Sequence, residues 1–206
     1  MFMGRIVSTL FSSLDGVVEI DPEWHFPYFD DQMGAAVTDD YAGVGAILLG
    51  RVTYDSFVGA WPDREAAGEE DAGFAKLIGD TRKIVATRGT GDLGWRNVEA
   101  TPDVVATAQA LRADQGVEKV IVPGSITIVR ELLAAGLLDE LRLLVHPIAA
   151  RTGERLFDEG AERYPMRLVS AEPFDSGVVR LIYAPTTPPE AKTYDDVKQH
   201  DMPQPD

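Results

Sequence analysis

Short apolar runs alternate along this chain with stretches of helical periodicity. The run at 46–49 is entirely apolar and stops at a glycine, and a second run at 120–122 stops at Pro123-Gly124-Ser125. Short apolar runs bounded by turn residues are typical of strands that are buried on both faces of a sheet. Residues 126–135 follow with apolar side chains spaced as on one face of a helix. This order predicts β/α units built around a parallel sheet.

The same periodicities divide most of the remaining chain into elements. Predicted strands cover residues 5–11, 46–49, 83–86, 118–122, 141–146, 167–171 and 178–184. Predicted helices cover residues 31–43, 53–58, 72–79 and 126–135, and one more begins with Thr101 as its cap and Pro102 at its first position. The sequence therefore predicts an α/β fold: a mixed, mostly parallel central sheet with helices on both faces and a C-terminal antiparallel hairpin.

Two segments within this pattern are expected to lack regular structure. Between Val17 and Tyr28, the pairs Asp21-Pro22 and Phe26-Pro27 are expected to interrupt any regular element. Residues 61–71 are mostly polar, which favours a surface loop.

Length and composition narrow the class of protein. With 206 residues, 45% of them hydrophobic, the chain can bury the core of one domain at 1–185, followed by a polar, Pro-rich tail at 186–206. No apolar run approaches about 18 residues, so no membrane span is expected. The absence of cysteine excludes disulfides and zinc-thiolate sites and favours a cytoplasmic location. The formal charge of −15 disfavours nucleic acid as a partner.

The ends of two predicted strands carry side chains suited to phosphate. Gly50 lets a ligand approach the backbone closely, Arg51 can clamp a phosphate, and Thr53 adds a hydroxyl. Thr87 and Arg88 suit a terminal phosphate, such as a ribose 2′-phosphate. Each turn has an ordinary alternative, in which the arginine is exposed and binds nothing.

A third turn, Pro123-Gly124-Ser125, leads directly into a predicted helix. The first N–H groups of a helix have no partner within it and attract anions. The simpler explanation is that the Ser125 side chain caps the helix, and the two roles are compatible. Three such turns in one domain predict a phosphorylated nucleotide cofactor.

Few residues suit acid–base chemistry. Asp30-Asp31 at a predicted helix start either caps the helix and compensates its dipole or presents a carboxyl group to a substrate. His146, before Pro147 at a strand end, is more often a core or edge residue than a base, and Asp15 suits a turn. The acidic residues are scattered, so no metal site is expected.

Taken together and in order, the motifs resemble one superfamily. They are Phe11-Ser12-Ser13-Leu14-Asp15-Gly16, Leu48-Leu49-Gly50-Arg51-Val52-Thr53-Tyr54, Trp61-Pro62, Lys83-Ile84-Val85-Ala86-Thr87-Arg88, Val122-Pro123-Gly124-Ser125, Gly136-Leu137-Leu138-Asp139-Glu140-Leu141-Arg142-Leu143, His146-Pro147 and Gly153-Glu154-Arg155-Leu156-Phe157. The chain resembles the dihydrofolate-reductase-like superfamily, in the branch similar to the C-terminal reductase domain of the bacterial riboflavin-biosynthesis deaminase/reductase. The resemblance covers residues 4–185.

The resemblance implies a dihydrofolate-reductase-like fold that binds NADPH and reduces a small heterocycle, pterin-like or a ribosylamino-pyrimidine, by hydride transfer. It implies contacts to the cofactor from Leu14, Asp15, Gly50, Arg51, Thr53, Thr87, Arg88, Gly124, Ser125 and Ile126. Asp31 loosely matches the catalytic acidic residue beside the substrate. Relatives pair through their C-terminal strands, which implies a homodimer.

One motif departs from the superfamily pattern. Relatives often have two glycines joined by a cis peptide bond where this chain has Pro123-Gly124, and proline removes one N–H donor. A non-catalytic nucleotide-binding module with the same fold therefore stays open as an alternative. A hydrolase or kinase is disfavoured, because the chain has no P-loop, nucleophile elbow or metal cluster.

Overall fold

The computed structural model describes residues 3–89, 93–157, 162–193 and 196. Its strands are Arg5–Ser13 (β1), Ala46–Gly50 (β2), Arg82–Ala86 (β3), Val98–Thr101 (β4), Lys119–Gly124 (β5), Glu140–His146 (β6), Met166–Pro173 (β7) and Val179–Pro185 (β8). Its helices are Pro22–His25 (α1), Asp31–Tyr41 (α2), Arg51–Val58 (α3), Trp61–Ala67 (α4), Ala72–Asp80 (α5), Val104–Ala113 (α6) and Ile126–Ala134 (α7), with a 3₁₀ turn at Phe26–Tyr28.

The strands form one sheet of eight in the order β4-β3-β2-β5-β1-β6-β8-β7. The first six strands in this order, β4-β3-β2-β5-β1-β6, pair in parallel with their neighbours. Strand β8 then pairs antiparallel with both β6 and β7. The predicted architecture, with its mostly parallel sheet and C-terminal antiparallel hairpin, is therefore confirmed. The carboxyl ends of the parallel strands all meet at one edge of the sheet, as parallel pairing requires.

Helices cover both faces of the sheet, because successive residues of its central strands point to opposite sides. Ile6 of β1 packs in a core cluster with Leu111 of α6 and Leu132 of α7. The next residue, Val7, packs in the opposite cluster with Tyr54 of α3 and Ile78 of α5.

The prediction of irregular structure between Val17 and Tyr28 is wrong for its second half. The Asp21 carboxylate accepts a hydrogen bond from the Glu23 backbone N–H at 2.8 Å, and Pro22 is the first residue of α1. Asp21-Pro22 thus begins a helix, because an Asp cap followed by proline satisfies the orphan N–H groups of a first turn.

Three further features differ from the prediction. Residues 61–71 are not all loop, because α4 forms there, and its first residue, Trp61, packs against Phe74 with ring centroids 5.3 Å apart. Strand β4 was not predicted, and its last residue is Thr101. Asp103, rather than Thr101, caps α6 by accepting a 2.9 Å bond from the Ala106 N–H.

The predicted tail lies largely outside the described residues. Residues 186–193 contain no helix or strand.

A buried lysine ties α5 to the sheet. Lys83 of β3 is 0% exposed, and its Nζ donates to the carbonyl oxygens of Ile78, Gly79 and Thr81 at 2.8–2.9 Å. The ammonium also lies 4.4 Å from the ring centroid of Trp95. Burial lowers the pKa of Lys83 to about 8. The positive charge thus satisfies the carbonyl groups at the carboxyl end of α5, where the helix dipole favours a cation.

Replacing Lys83 by methionine should therefore be costly. Lys83→Met keeps the side-chain length but leaves these carbonyl groups without their donor, so we expect a loss of about 2–4 kcal/mol in the free energy of unfolding, measured in urea. Lys76→Met is the matched control, because Lys76 is exposed and its ion pair with Asp80 is worth about 1 kcal/mol at most. Equal losses in the two variants would contradict the structural role of Lys83.

Candidate functional site

The carboxyl edge of the sheet has two levels. Gly50 pairs with Ala86 and Leu49 with Gly124, so β3, β2 and β5 end side by side and form what we call the floor. Strand β1 pairs with β5 only as far as Ser8, but it runs on beside β6 until Ser13 lies opposite His146. The projecting ends of β1 and β6 form what we call the wall. The floor and the wall are thus two adjacent levels of the same edge.

On the floor, the turns after β2 and β5 are in direct contact. A Cβ on Gly50 would lie 2.5 Å from Oγ of Ser125 and 3.0 Å from its backbone N. A Cβ on Gly124 would lie 2.8 Å from Oγ1 of Thr53. Because glycine has no Cβ, the first residues of α3 and α7 can lie beside each other at this point.

The side chains at these two helix starts do not cap them. Gly50 has no side chain to offer, and Ser125 makes no capping hydrogen bond to the backbone. Its Oγ is instead 2.6 Å from Oγ1 of Thr127, so the simpler explanation of this serine, in which its side chain caps α7, does not hold. Two neighbouring helix starts with uncapped N–H groups form a place where an anion is stabilised by both backbones and both dipoles.

The turn after β5 also contains a cis peptide bond, which joins Gly124 to Ser125 rather than Pro123 to Gly124. Gly124 has φ 141°, a backbone conformation that residues with a Cβ rarely adopt. Pro123 lies where the pairing register between β2 and β5 shifts, a position at which a strand tolerates proline.

The arginines predicted to bind phosphate lie on the same edge. Arg51 follows β2, and its Nε donates to both carboxylate oxygens of Asp55, at 2.8 and 3.0 Å. Arg88 is exposed just beyond the end of β3. Beside it, Oγ1 of Thr87 accepts a 3.0 Å bond from the Gly89 N–H. Arg51, Arg88 and the start of α7 thus lie at the ends of three neighbouring strands, although Arg51 is already paired.

The loop after β1 is fastened by Asp15. Its carboxylate accepts hydrogen bonds from Oγ of Ser13 at 2.7 Å, the Ala150 N–H at 2.9 Å and the Arg151 N–H at 3.0 Å. These donors hold the pKa of Asp15 well below its usual range. The side chain therefore anchors the loop, which leaves the neighbouring Leu14 67% exposed above the edge.

The candidate acid lies at the start of α2. Asp30 caps that helix by accepting a 2.8 Å bond from the Met33 N–H, as its position predicted. Asp31 is exposed in the first turn, where the helix dipole stabilises a negative charge.

The wall carries a pair of buried histidines that sequence reasoning did not connect. Nδ1 of His25 lies 3.1 Å from Nε2 of His146, and both side chains are buried. The two residues are 121 positions apart, so no spacing rule relates them. The available signal was the start of α1 at Asp21-Pro22, which would have placed His25 on a helix facing the sheet.

Other kinds of site have less support. A groove between β3, β4 and α6 is lined by Arg82, Glu99 and Asp114, and Arg82 forms ion pairs with both carboxylates. Within the described ranges, no three His, Cys, Asp or Glu side chains are arranged to hold a metal ion. No helix in the same part of the chain has the length and apolar character needed to cross a membrane.

Comparison with known proteins agrees with this architecture. The fold is α/β and dihydrofolate-reductase-like: dihydrofolate reductase from Enterococcus faecalis, complexed with NADP(H), superimposes with a TM-score of 0.59 at 16% identity over 90% of this chain and 99% of that one. A putative riboflavin biosynthesis protein from Shewanella sp. PV-4 gives a TM-score of 0.66 at 17% identity, over 89% of this chain and 99% of that one.

The family is also identified. The family model of the RibD C-terminal domain matches residues 5–180, so the chain belongs to the RibD C-terminal domain family. The uncharacterized protein YyaP of Bacillus subtilis is 27% identical over 180 residues, which is 87% of this chain and 94% of YyaP. Family and fold together support an oxidoreductase of the riboflavin-pathway type.

The close contact on the floor predicts the effect of adding one methyl group. Gly50 has φ −73°, which alanine also adopts, so Gly50→Ala tests the steric contact with Ser125 alone. We expect a loss of about 1–3 kcal/mol in the free energy of unfolding, measured in urea. Gly73→Ala is the control, since a Cβ on this helical glycine would meet nothing within 4 Å and should be neutral or stabilising. A neutral Gly50→Ala would show that the two turns are not in contact.

The histidine pair predicts how stability depends on pH. Burial and the neighbouring His146 lower the pKa of His25 from 6.5 to about 4. Between these values the unfolded chain binds more protons than the folded chain, so the free energy of unfolding should rise as pH increases from about 4 to 6.5. His25→Phe should flatten this rise, measured as the difference between urea unfolding curves at each pH. An unchanged slope would mean that His25 titrates normally in the folded protein.

Proposed function

We propose that this protein is an NADPH-dependent reductase that transfers a hydride to a small heterocycle. The observation that carries the proposal is the contact between Gly50 and Ser125, which brings two uncapped helix starts together on the floor. Membership of the RibD C-terminal domain family supports the same conclusion. In a chain of net charge −15, such a concentration of backbone N–H groups is a local feature that favours an anionic cofactor.

The floor fits the phosphate groups of a dinucleotide. Gly50 and Gly124 have no Cβ, so the two turns pack closely against Ser125 and Thr53, and pyrophosphate can approach the glycine backbone from the open side. Ile126, at the first position of α7, contributes a backbone N–H. Thr87 and Arg88, one strand beyond Gly50, would hold the adenosine end through the 2′-phosphate.

The other end of the cofactor would lie toward the wall. When bound, NADPH would supply the hydride. Leu14 would cover the nicotinamide, and the hydrogen bonds of the Asp15 carboxylate would hold that loop in place. Arg51 would have to break its ion pair with Asp55 to bind a phosphate, so it would add less to the binding free energy than an unpaired guanidinium.

The substrate would be a pterin-like ring or a ribosylamino-pyrimidine. In support, a Thermotoga maritima protein described as a diaminohydroxyphosphoribosylaminopyrimidine deaminase/5-amino-6-(5-phosphoribosylamino)uracil reductase has the same fold, with a TM-score of 0.63 at 15% identity. This chain matches 57% of that longer protein. The proton that accompanies the hydride would come from Asp31 or, because Asp31 is exposed, from water.

Some expectations about partners and location stay predictions. A homodimer is supported by β7, an edge strand that exposes Leu168 and Val169 and could pair with a second copy. The cytoplasmic location and the absence of nucleic-acid binding rest on composition alone.

Arg88 gives the sharpest test of the cofactor. Arg88→Ala should raise the dissociation constant for NADPH by about tenfold or more and leave that for NADH within about twofold, because only NADPH carries the 2′-phosphate. Titration followed by nicotinamide fluorescence measures both constants. Arg82→Ala is the matched control, since Arg82 lies at the opposite end of the same strand and should affect neither cofactor.

Two outcomes separate the proposal from its alternatives. Absence of micromolar NADPH binding by the unmodified protein would overturn the reductase, and equal effects of Arg88→Ala on both cofactors would remove the role of Arg88. Binding without turnover of dihydrofolate or of a ribosylamino-pyrimidine would favour a non-catalytic nucleotide-binding module.

A further inference from the structure

The histidine pair on the wall has a proton arrangement that its neighbours dictate. Nδ1 of His146 lies 3.2 Å from the carbonyl oxygen of Ser12 and 3.1 Å from that of Leu144. Carbonyl oxygens only accept hydrogen bonds, so Nδ1 of His146 must carry a proton. In a neutral imidazole, the other ring nitrogen, Nε2, then has a lone pair.

The same logic extends to the second ring. Nε2 of His146 is 3.1 Å from Nδ1 of His25, so Nδ1 of His25 must donate. In neutral His25, Nε2 therefore has a lone pair and can only accept. Among the described residues, this nitrogen has no hydrogen-bond partner. Burial lowers the pKa of both histidines, which agrees with two neutral rings at pH 7.

Aromatic side chains surround the imidazole ring that carries this acceptor. The ring centroids of Phe11, Phe26 and Phe29 lie 4.4, 5.3 and 5.7 Å from that of His25. Phe26 is 61% and Phe29 48% exposed, which is unusual for such large apolar rings. Exposed aromatic faces beside one fixed polar atom are a common arrangement for binding a planar ring.

The surroundings of the pair are also uncharged. Tyr28 and Trp24 face His146 with centroids 5.9 and 5.0 Å away, and neither histidine forms an ion pair within the described part of the chain. Uncharged surroundings disfavour a cationic ligand, because no carboxylate compensates its desolvation. The geometry therefore selects a neutral, planar ligand with an N–H group to donate.

We infer that His25 is a specificity-determining residue, whose Nε2 accepts a hydrogen bond from a ring or amide N–H of a neutral planar heterocycle lying beside Phe26 and Phe29. His146 is a positioning residue, which fixes the tautomer of His25 through the bond between the rings. Since Nε2 of His25 accepts, it is not the proton donor for the reduction. This inference rests on the proposed function, because it assigns the substrate class of the same site.

The test compares two neutral planar probes, lumazine and 1,3-dimethyllumazine, which differ in their N–H groups. Titrated near pH 7 into the NADPH-saturated protein, lumazine should bind about tenfold tighter or more, because methylation leaves the acceptor without a donor. In His25→Phe, which keeps a ring of similar shape, the preference should fall to within about twofold. Glu23→Gln, an exposed neighbour on the same helix, should keep it.

Several results would overturn the inference. Failure of the unmodified protein to bind lumazine would do so, as would an equal preference in His25→Phe. The tautomers give an independent readout that needs no variant to fold: ¹⁵N NMR of the unmodified protein should place the proton on Nδ1 of both His25 and His146 at pH 7. A proton on Nε2 of His25 would contradict the assignment.

The same titrations distinguish a failure of the cofactor assignment. Repeating them without NADPH tests the contact between His25 and the probe by itself. If NADPH does not bind but lumazine keeps its preference, the reductase is wrong and the heterocycle site stands. If NADPH binds and the preference is absent, the reductase stands and the role of His25 is wrong.

Discussion

The contact between the turns after β2 and β5 is the constraint on which the candidate site depends. Gly50 and Gly124 leave no room for a Cβ, since Ser125 and Thr53 occupy that space. This contact brings the starts of α3 and α7 together, and the parallel pairing of β3 with β2 adds Thr87 and Arg88 to the same edge. The anion binding that we propose for the floor is therefore a consequence of backbone packing more than of side-chain charge.

The wall arises from strand length. Because β1 and β6 continue beyond the level at which β5 ends, they carry Ser13 and His146 past the floor. Helix α1 covers this projection and brings His25 onto His146. The carbonyl oxygens of Ser12 and Leu144 fix the tautomer of His146, and His146 in turn fixes the tautomer of His25. This effect requires the whole chain of hydrogen bonds.

Residue patterns predicted the floor better than the wall. Gly50 and Gly124-Ser125 lie at strand-to-helix turns, and such turns are encoded locally by small residues after an apolar run. Asp21-Pro22 is ambiguous, because the same pair interrupts a strand and begins a helix, and only packing against the sheet decides. The partnership of His25 with His146 depends on the folded chain, so the periodicity of the sequence carries no information about it. The pairing of Arg51 with Asp55 has the i,i+4 spacing of a helical ion pair, but it follows only when the helix begins at Arg51 rather than at Thr53.

The floor and the wall of the candidate site differ in their electrostatic character. The chain is strongly acidic, and Arg51, one of the guanidinium groups on the floor, is bound to a carboxylate. Much of the attraction that we propose for an anion therefore comes from backbone N–H groups, which carry no net charge and do not attract the acidic surface around them, and Arg88 adds to it at the end of β3. The wall offers neutral imidazoles and aromatic rings, where a charged ligand would lose hydration without compensation. In the complex that we propose, the phosphate groups of the dinucleotide therefore lie on the floor and the neutral ring lies at the wall, at opposite ends of the same edge.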